Sequence, residues 1–233
     1  MSEQTPRRRP RAVGVAVIAV AALVGLGVVA SLSLDEGDTD PIEIDDAGAV
    51  RRLVGGIPQL KERLGANDAP VTIEVFDDLQ CERCADYQLE VIEPLIERQV
   101  RPGRVKLLYR HYSMSERETG LASFGAVASG EQGHQWQFIE LFFHNQDEAA
   151  RRGVSEEFLD RIAGAILEFD VEQWQQDLDD PAVEEILESD NRLAAERRLP
   201  AEPAVVVHGP RSSRELIDSP SLEQIEGAIA ESG

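Results

Sequence analysis

Two cysteines, Cys81 and Cys84, are the residues of this 233-residue chain whose type and spacing are best suited to chemistry. They are its whole cysteine complement, so the chain cannot build a scaffold of several disulfides. A Cys-x-x-Cys pair that opens a helix places the first sulfur where unpaired backbone N–H groups stabilise a thiolate. The spacing therefore predicts disulfide exchange, in which Cys81 attacks or is attacked and Cys84 resolves the mixed disulfide.

The two residues between the cysteines carry opposite charges. Arg83 favours a thiolate at Cys81 and Glu82 disfavours it, which leaves the sign of the net effect open. Two other interpretations of the cysteine pair also stay open: an inert structural disulfide, and a metal site completed by two histidines. The chain has four histidines without metal-like spacing from one another, and the second and third are expected on solvated helix faces. These are His111, His134, His144 and His208.

The elements that position the cysteines follow from the hydrophobic pattern. Residues 71–76 are a β-rich, mostly apolar run that predicts a central strand, and a helical period begins at Glu82. Residues 105–109 predict the next strand, which completes a βαβ unit. A helical block follows, and then residues 204–207 and 214–217 predict two more strands before a last helix. The fold class is therefore α/β, with the helical block inserted between its two halves.

Capping residues mark several helix starts in and after this block. Ser155, Asp170 and Ser221 each precede a helical run, and a side-chain oxygen at that position accepts a hydrogen bond from the first turn. At Asp180 the next residue is proline, which suits the first position of a helix. Each of these four residues predicts where a helix begins.

The first 49 residues divide by composition. Residues 1–11 are a basic tail, and residues 12–34 are an uncharged run long enough to cross a hydrocarbon core of about 30 Å as a signal-anchor helix. The preceding basic residues predict an extracytoplasmic domain, where thiols can oxidise. Residues 35–49 predict an acidic linker, and residues 50–233 the folded domain. A cleaved signal peptide is the alternative to the anchor.

The net charge is −21. A surface of this charge repels the phosphates of nucleic acid, so no nucleic-acid partner is expected.

Taken together, these motifs resemble the DsbA-like branch of the thioredoxin superfamily, in particular its membrane-anchored Gram-positive and actinobacterial members. The likeness covers about residues 55–229. It rests on ordered matches in four places: Gly56–Gln59 with Ala69–Thr72; Phe76–Cys81 followed by Cys84; Gly130–Gly133 with Trp136, Asn145 and Gln146; and Pro203 with Val205–Gly209.

The resemblance implies a thioredoxin-like fold with an inserted helical domain at about residues 114–198. It implies that Cys81 is the nucleophile, Cys84 the resolving thiol, and Pro203 a cis-proline that faces them and leaves neighbouring backbone free to pair with a client chain. No organic cofactor or metal is implied. The expected partners are unfolded or reduced secreted proteins and a quinone-linked thiol oxidase of the bacterial cytoplasmic membrane.

Two departures from the family pattern concern the oxidising strength. The dipeptide Glu82-Arg83 stands where Pro-x is usual, and Glu202 precedes Pro203 where a small or β-branched residue is usual. A carboxylate at either place disfavours a thiolate. Oxidation is the expected direction. The alternatives are a reductase or isomerase with the same residues, and a non-catalytic client- or metal-binding module.

Overall fold

The strand that precedes the cysteines is the centre of a mixed sheet. This strand, β3 (Val71–Asp77), is buried at nearly every position, because its apolar and β-branched side chains are covered on both faces. It pairs in parallel with β4 (Val105–His111) and antiparallel with β5 (Ala204–His208). The other three strands lie towards the edges: β1 (Gln59–Leu60), β2 (Arg63–Leu64) and β6 (Ser213–Leu216). The strand order is β1-β2-β4-β3-β5-β6.

This computed structural model describes residues 41–113, 120–216 and 219–233. Residues 42–233 form one compact unit. The predicted basic tail and signal-anchor helix, residues 35–40 of the predicted linker, and the first residues of the predicted insertion lie outside the described residues, as does Ile217 of the predicted last strand. Within the described ranges no helix has both the length and the apolar composition needed to cross a bilayer.

A long helical segment connects β3 to β4 and begins at the cysteines. It alternates between α-helical and π-helical turns, which shifts the register of its side chains along its length. Its four parts are α2 (Glu82–Tyr87), π1 (Gln88–Ile92), α3 (Glu93–Leu95) and π2 (Ile96–Val100). The helix start and both flanking strands confirm the predicted βαβ unit.

From residue 120 onwards the chain between β4 and β5 is mainly helical, as predicted. The predicted caps are present: Ser155 accepts a hydrogen bond from Phe158 N at 3.2 Å, and Asp170 accepts one from Gln173 N at 3.0 Å. Within its described residues the insertion has six α-helices: α4 (Leu121–Ser129), α5 (Gln135–His144), α6 (Gln146–Arg152), α7 (Glu156–Gly164), α8 (Val171–Asp177) and α9 (Pro181–Glu196). The last helix of the chain, α10 (Leu222–Ser232), begins with a complete capping box at Ser221.

Aromatic side chains fix the insertion to itself and to the sheet. Trp174 is buried and donates from Nε1 to the Gly125 carbonyl at 2.8 Å. Trp136 is also buried and donates to the carbonyl of Glu62, between β1 and β2, at 2.9 Å. The insertion is therefore packed against the sheet edge next to β4.

The folded unit begins earlier than the predicted linker allows. Ile42 is buried in the main core, and helix α1 (Ala47–Val54) starts within residues 35–49. The side chain of Asp46 lies 3.2 Å from His144 at the end of α5. The acidic composition of this stretch concealed its packing, because one buried isoleucine and a short amphipathic helix give a weak signal among charged residues.

Candidate active site

Cys81 caps the N-terminus of α2. Its backbone is extended, and its Sγ accepts a hydrogen bond from the backbone N–H of Cys84 at 3.2 Å. The two cysteines form a disulfide with their Cα atoms 5.1 Å apart. Cys81 is partly exposed, whereas Cys84 is fully buried. An incoming thiolate can therefore reach the sulfur of Cys81 but not that of Cys84.

The turn before Cys81 is held by an aspartate. Asp78 accepts a hydrogen bond from Gln80 N at its side chain, at 2.9 Å, and one from Cys81 N at its carbonyl, at 3.1 Å. Such Asx geometry is a local alternative to continuing the strand. It ends β3 and turns the chain so that a helix begins at the first cysteine.

Gln146, at the start of α6, reaches this turn from the helical insertion. Its Nε2 donates to the carbonyl of Leu79 at 2.6 Å and to that of Cys81 at 3.0 Å. The side chain also lines a cavity of about 420 Å³ together with Gln80 and Glu82. The insertion thus contributes directly to the surroundings of the reactive disulfide.

The loop before β5 contacts a residue that lies between the two cysteines in sequence. The Glu202–Pro203 peptide bond is cis, the conformation that the family resemblance implied, and Pro203 is buried. Arg83 donates from Nη2 to the carbonyl oxygen of Glu202. This contact joins the residue between the two cysteines to the residue before the cis-proline.

Three of the six predicted site residues, Cys81, Arg83 and Cys84, share the start of α2, and the Arg83 contact links them to the Glu202–Pro203 pair. The sixth, Glu82, is exposed and lines the cavity on the side of the insertion.

Asp77 is a polar residue of this region that the sequence alone does not single out. It is fully buried at the end of β3, where its Oδ1 accepts from Asp78 N at 3.0 Å and its Oδ2 has no partner within the described chain. Burial raises the pKa of Asp77 well above its ordinary value, against the opposing effect of the Asp78 hydrogen bond. The negative charge of Glu202 also raises the pKa of Asp77, and the positive charge of Arg83 lowers it. The only sequence signal was its position at the end of a buried strand.

The histidines do not support a metal site at the cysteines. Both sulfurs are used in the disulfide, and the one cluster of possible metal ligands within the described residues contains neither cysteine. His111 is buried, which lowers its pKa to about 3. His208 contacts Glu74 at 2.8 Å. The expectation of a solvated His144 is wrong, because its Nε2 lies 2.6 Å from Glu93 and this hydrogen bond raises its pKa.

His134 also departs from a solvated position. It is partly buried, its ring packs edge-on against Phe169, and burial lowers its pKa.

A thioredoxin-like sheet with a Cys-x-x-Cys disulfide at a helix start, a cis-proline loop beside it and an inserted helical domain defines a DsbA-like thiol–disulfide oxidoreductase. The sequence model of the thioredoxin family matches residues 60–231, and the chain belongs to that family.

Comparison with curated proteins gives relatives among disulfide bond formation proteins. The probable disulfide bond formation protein D of Bacillus anthracis is 27% identical over 172 residues, which cover 72% of this chain and 76% of that relative. The disulfide bond formation protein D of Bacillus subtilis is 24% identical over 159 residues, covering 66% and 72% respectively.

Solved structures share the fold. Oxidised BdbD from Bacillus subtilis superposes with a TM-score of 0.64 at 21% identity, covering 77% of this chain and 97% of the other. DsbA from Chlamydia trachomatis superposes with a TM-score of 0.61 at 19% identity, covering 73% and 90%. At such identities the likeness establishes the architecture, with its helical insertion.

Proposed function

We propose that this oxidoreductase forms disulfides in secreted or envelope proteins. The observation that carries the proposal is the hydrogen bond from Cys84 N–H to Cys81 Sγ at the start of α2. A donor in this position stabilises the thiolate of the reduced enzyme, and a stabilised reduced form makes the disulfide a stronger oxidant. The names of the Bacillus relatives support the same direction.

The reaction runs in two exchanges. A client thiolate attacks Cys81 Sγ, the partly exposed sulfur, and the bond between the two enzyme sulfurs breaks, so that Cys84 leaves as a thiolate. A second client thiolate then attacks the client sulfur of the mixed disulfide. The client keeps the new disulfide, and Cys81 is released as a thiolate at the helix N-terminus. Two electrons have passed from the client to the enzyme.

The cis-proline loop is the proposed client-binding element. Pro203 has no N–H to donate. The residues immediately before it are not paired in the sheet, because β5 starts at Ala204. An extended client segment can pair with this backbone by strand addition beside the cysteines. Arg83 donates to the Glu202 carbonyl, so a client that uses this carbonyl must displace the guanidinium. Arg83, Glu82 and Glu202 are proposed to tune the thiolate by their charges.

The proposed location is the outer side of a bacterial cytoplasmic membrane. Support comes from the sequence, in which basic residues 1–11 precede the uncharged run 12–34. The proposed recycling partner is a quinone-linked thiol oxidase of that membrane, which would take the two electrons from the reduced cysteines. Protease protection in intact cells and in spheroplasts tests the topology.

The reduction potential of the Cys81–Cys84 pair tests the direction. We expect a value nearer to that of DsbA, about −120 mV, than to that of thioredoxin, about −270 mV. Equilibration with glutathione buffers, read by intrinsic tryptophan fluorescence or alkylation, gives the number. A potential near that of thioredoxin would support the reductase or isomerase alternative.

Trapping experiments test the catalytic roles. In Cys84→Ala the Cys81 thiolate can attack a disulfide of an exported protein, which releases one client sulfur as a thiolate, and the mixed disulfide should accumulate because no Cys84 thiol is present to displace the client. Cys81→Ser should trap none and should lose all oxidase activity. A non-catalytic binding module would instead keep its function in Cys81→Ser.

A further inference from the structure

Three possible metal ligands meet where the helical insertion packs against the helical segment after the cysteines. Glu140 and His144 are one turn apart on α5, and Glu93 is the first residue of α3. One ligand atom from each of the three lies within 4.8 Å of the others. The spacing of four residues on α5 puts its two side chains on one helix face. Two carboxylates and one imidazole thus converge from two elements.

Both ligands on α5 are oriented from behind by another side chain. The Nδ1 of His144 lies 3.2 Å from the Asp46 carboxylate, which leaves Nε2 directed at Glu93. Glu140 accepts a hydrogen bond at Oε1 from Gln88 Nε2, at 2.7 Å. A carboxylate behind a histidine and an amide behind a carboxylate are the usual outer partners of metal ligands.

Buried oxygen atoms in this cluster lack a partner. Glu140 is fully buried, and its Oε2 has no hydrogen-bond partner within the described chain. The Oε1 of Gln88, which is also fully buried, has none either. Both atoms are acceptors, and unpaired buried acceptors are costly. Together with Asp46, three carboxyl groups surround one imidazole. The cluster therefore lacks either a cation or a hydrogen-bond donor to pair with these oxygens.

We propose that Glu93, Glu140 and His144 bind a divalent transition-metal ion of the Zn²⁺ class, with water completing its coordination. Imidazole nitrogen favours such ions over Mg²⁺ and Ca²⁺, which prefer oxygen ligands throughout. The ion takes the place of the hydrogen bond between His144 and Glu93, and it gives the free oxygen of Glu140 a partner. This site is separate from the cysteines and goes beyond the proposed disulfide exchange.

The test uses the full chain in its oxidised form, so that neither thiol can bind the ion. Zn²⁺ binding is measured by titration calorimetry, and Co²⁺ serves as a spectroscopic probe of nitrogen and oxygen ligation. The variants are His144→Gln, Glu140→Gln and Glu93→Gln. The matched control is Glu188→Gln, an exposed residue of α9 paired with Arg192. The control measures any binding by the acidic surface.

We expect one tight Zn²⁺ per oxidised chain, and an affinity at least about tenfold weaker in each of the three ligand variants. Glu188→Gln should bind Zn²⁺ as tightly as the parent protein does. Zn²⁺ should raise the melting temperature of the parent protein and of Glu188→Gln, but not that of the three ligand variants. Glu93 is partly exposed, so Glu93→Gln should fold. It therefore tests the metal site even if a substitution of the buried Glu140 prevents folding. Absence of stoichiometric binding, or equal binding by Glu93→Gln and the parent protein, would overturn the site.

Discussion

Gln146 donates its side-chain amide to the backbone carbonyl of Cys81 at 3.0 Å, and the same nitrogen also reaches Leu79 at 2.6 Å. The glutamine belongs to α6 of the insertion, whereas the cysteine starts α2 after the central strand. The helical insertion therefore does more than cover the sheet. It fixes the backbone that carries the reactive sulfur, through one side chain 65 residues away in sequence.

Replacing Gln146 with alanine should loosen the turn at Cys81. Two hydrogen bonds are lost, so we expect destabilisation by about 1–2 kcal/mol and disulfide exchange slowed several-fold. Stopped-flow measurement of the reaction with a reduced peptide gives the rate, and urea unfolding gives the stability. Gln175→Ala is the matched control, because it removes an exposed hydrogen bond to Asp160 in the same insertion. Equal rates for the two variants would contradict a positioning role for Gln146.

Replacing Arg83 with glutamine should make the enzyme a weaker oxidant. The guanidinium is the positive charge within the Cys-x-x-Cys motif, and its loss removes stabilisation of the thiolate. For an exposed charge we expect a potential more negative by about 10–20 mV. Glutathione equilibria measure the shift. Arg192→Gln, on the exposed face of α9, should leave the potential unchanged. A shift towards positive potentials in Arg83→Gln would contradict this role.

Replacing Glu202 with glutamine should shift the potential in the opposite direction. Its carboxylate belongs to the loop that Arg83 contacts, and a negative charge near a thiolate destabilises it. We expect a potential less negative by about 10–20 mV in the same glutathione assay. The effect should shrink in high salt, since a partly exposed charge is screened. A salt-independent shift would instead indicate a change in loop conformation.

Replacing Asp77 with asparagine should stabilise the protein at neutral and alkaline pH. Burial raises the pKa of Asp77 in the folded state above the ordinary value of 3.8, so the fold favours the protonated carboxyl. The stability that this group contributes is complete below that value and is lost as the pH rises towards the folded-state pKa. Asparagine does not ionise and avoids this loss.

The gain of Asp77→Asn over the parent protein should therefore be about 1–3 kcal/mol larger at pH 8 than at pH 4. Urea unfolding of both oxidised proteins at the two pH values measures it. Asp86→Asn, exposed on α2, is the control and should show no such dependence. A pH-independent difference for Asp77→Asn would show that the pKa of Asp77 is the same in the folded and the unfolded chain, and it would contradict the prediction.

The local features of the fold were predictable from the sequence. Helices begin directly after Ser155, Asp170 and Asp180 because each of these capping side chains bonds to the first turn that follows it, which needs no distant partner. The strand before Cys81 and the helix after it follow from patterns that are likewise local. The cis state of Pro203 followed from the family resemblance and not from the local residues.

The pair of sulfurs at a helix start and the α/β order of the elements around them follow from the amino-acid pattern alone. Four relationships appear only in the folded chain: Ile42 is core, Gln146 holds Cys81, Asp77 is buried beside the site, and His144 lies close to Glu93 and Glu140. These relationships join residues far apart in the chain. They depend on how helices dock on a sheet, because periodicity shows which face of an element is buried but not which side chain lies opposite.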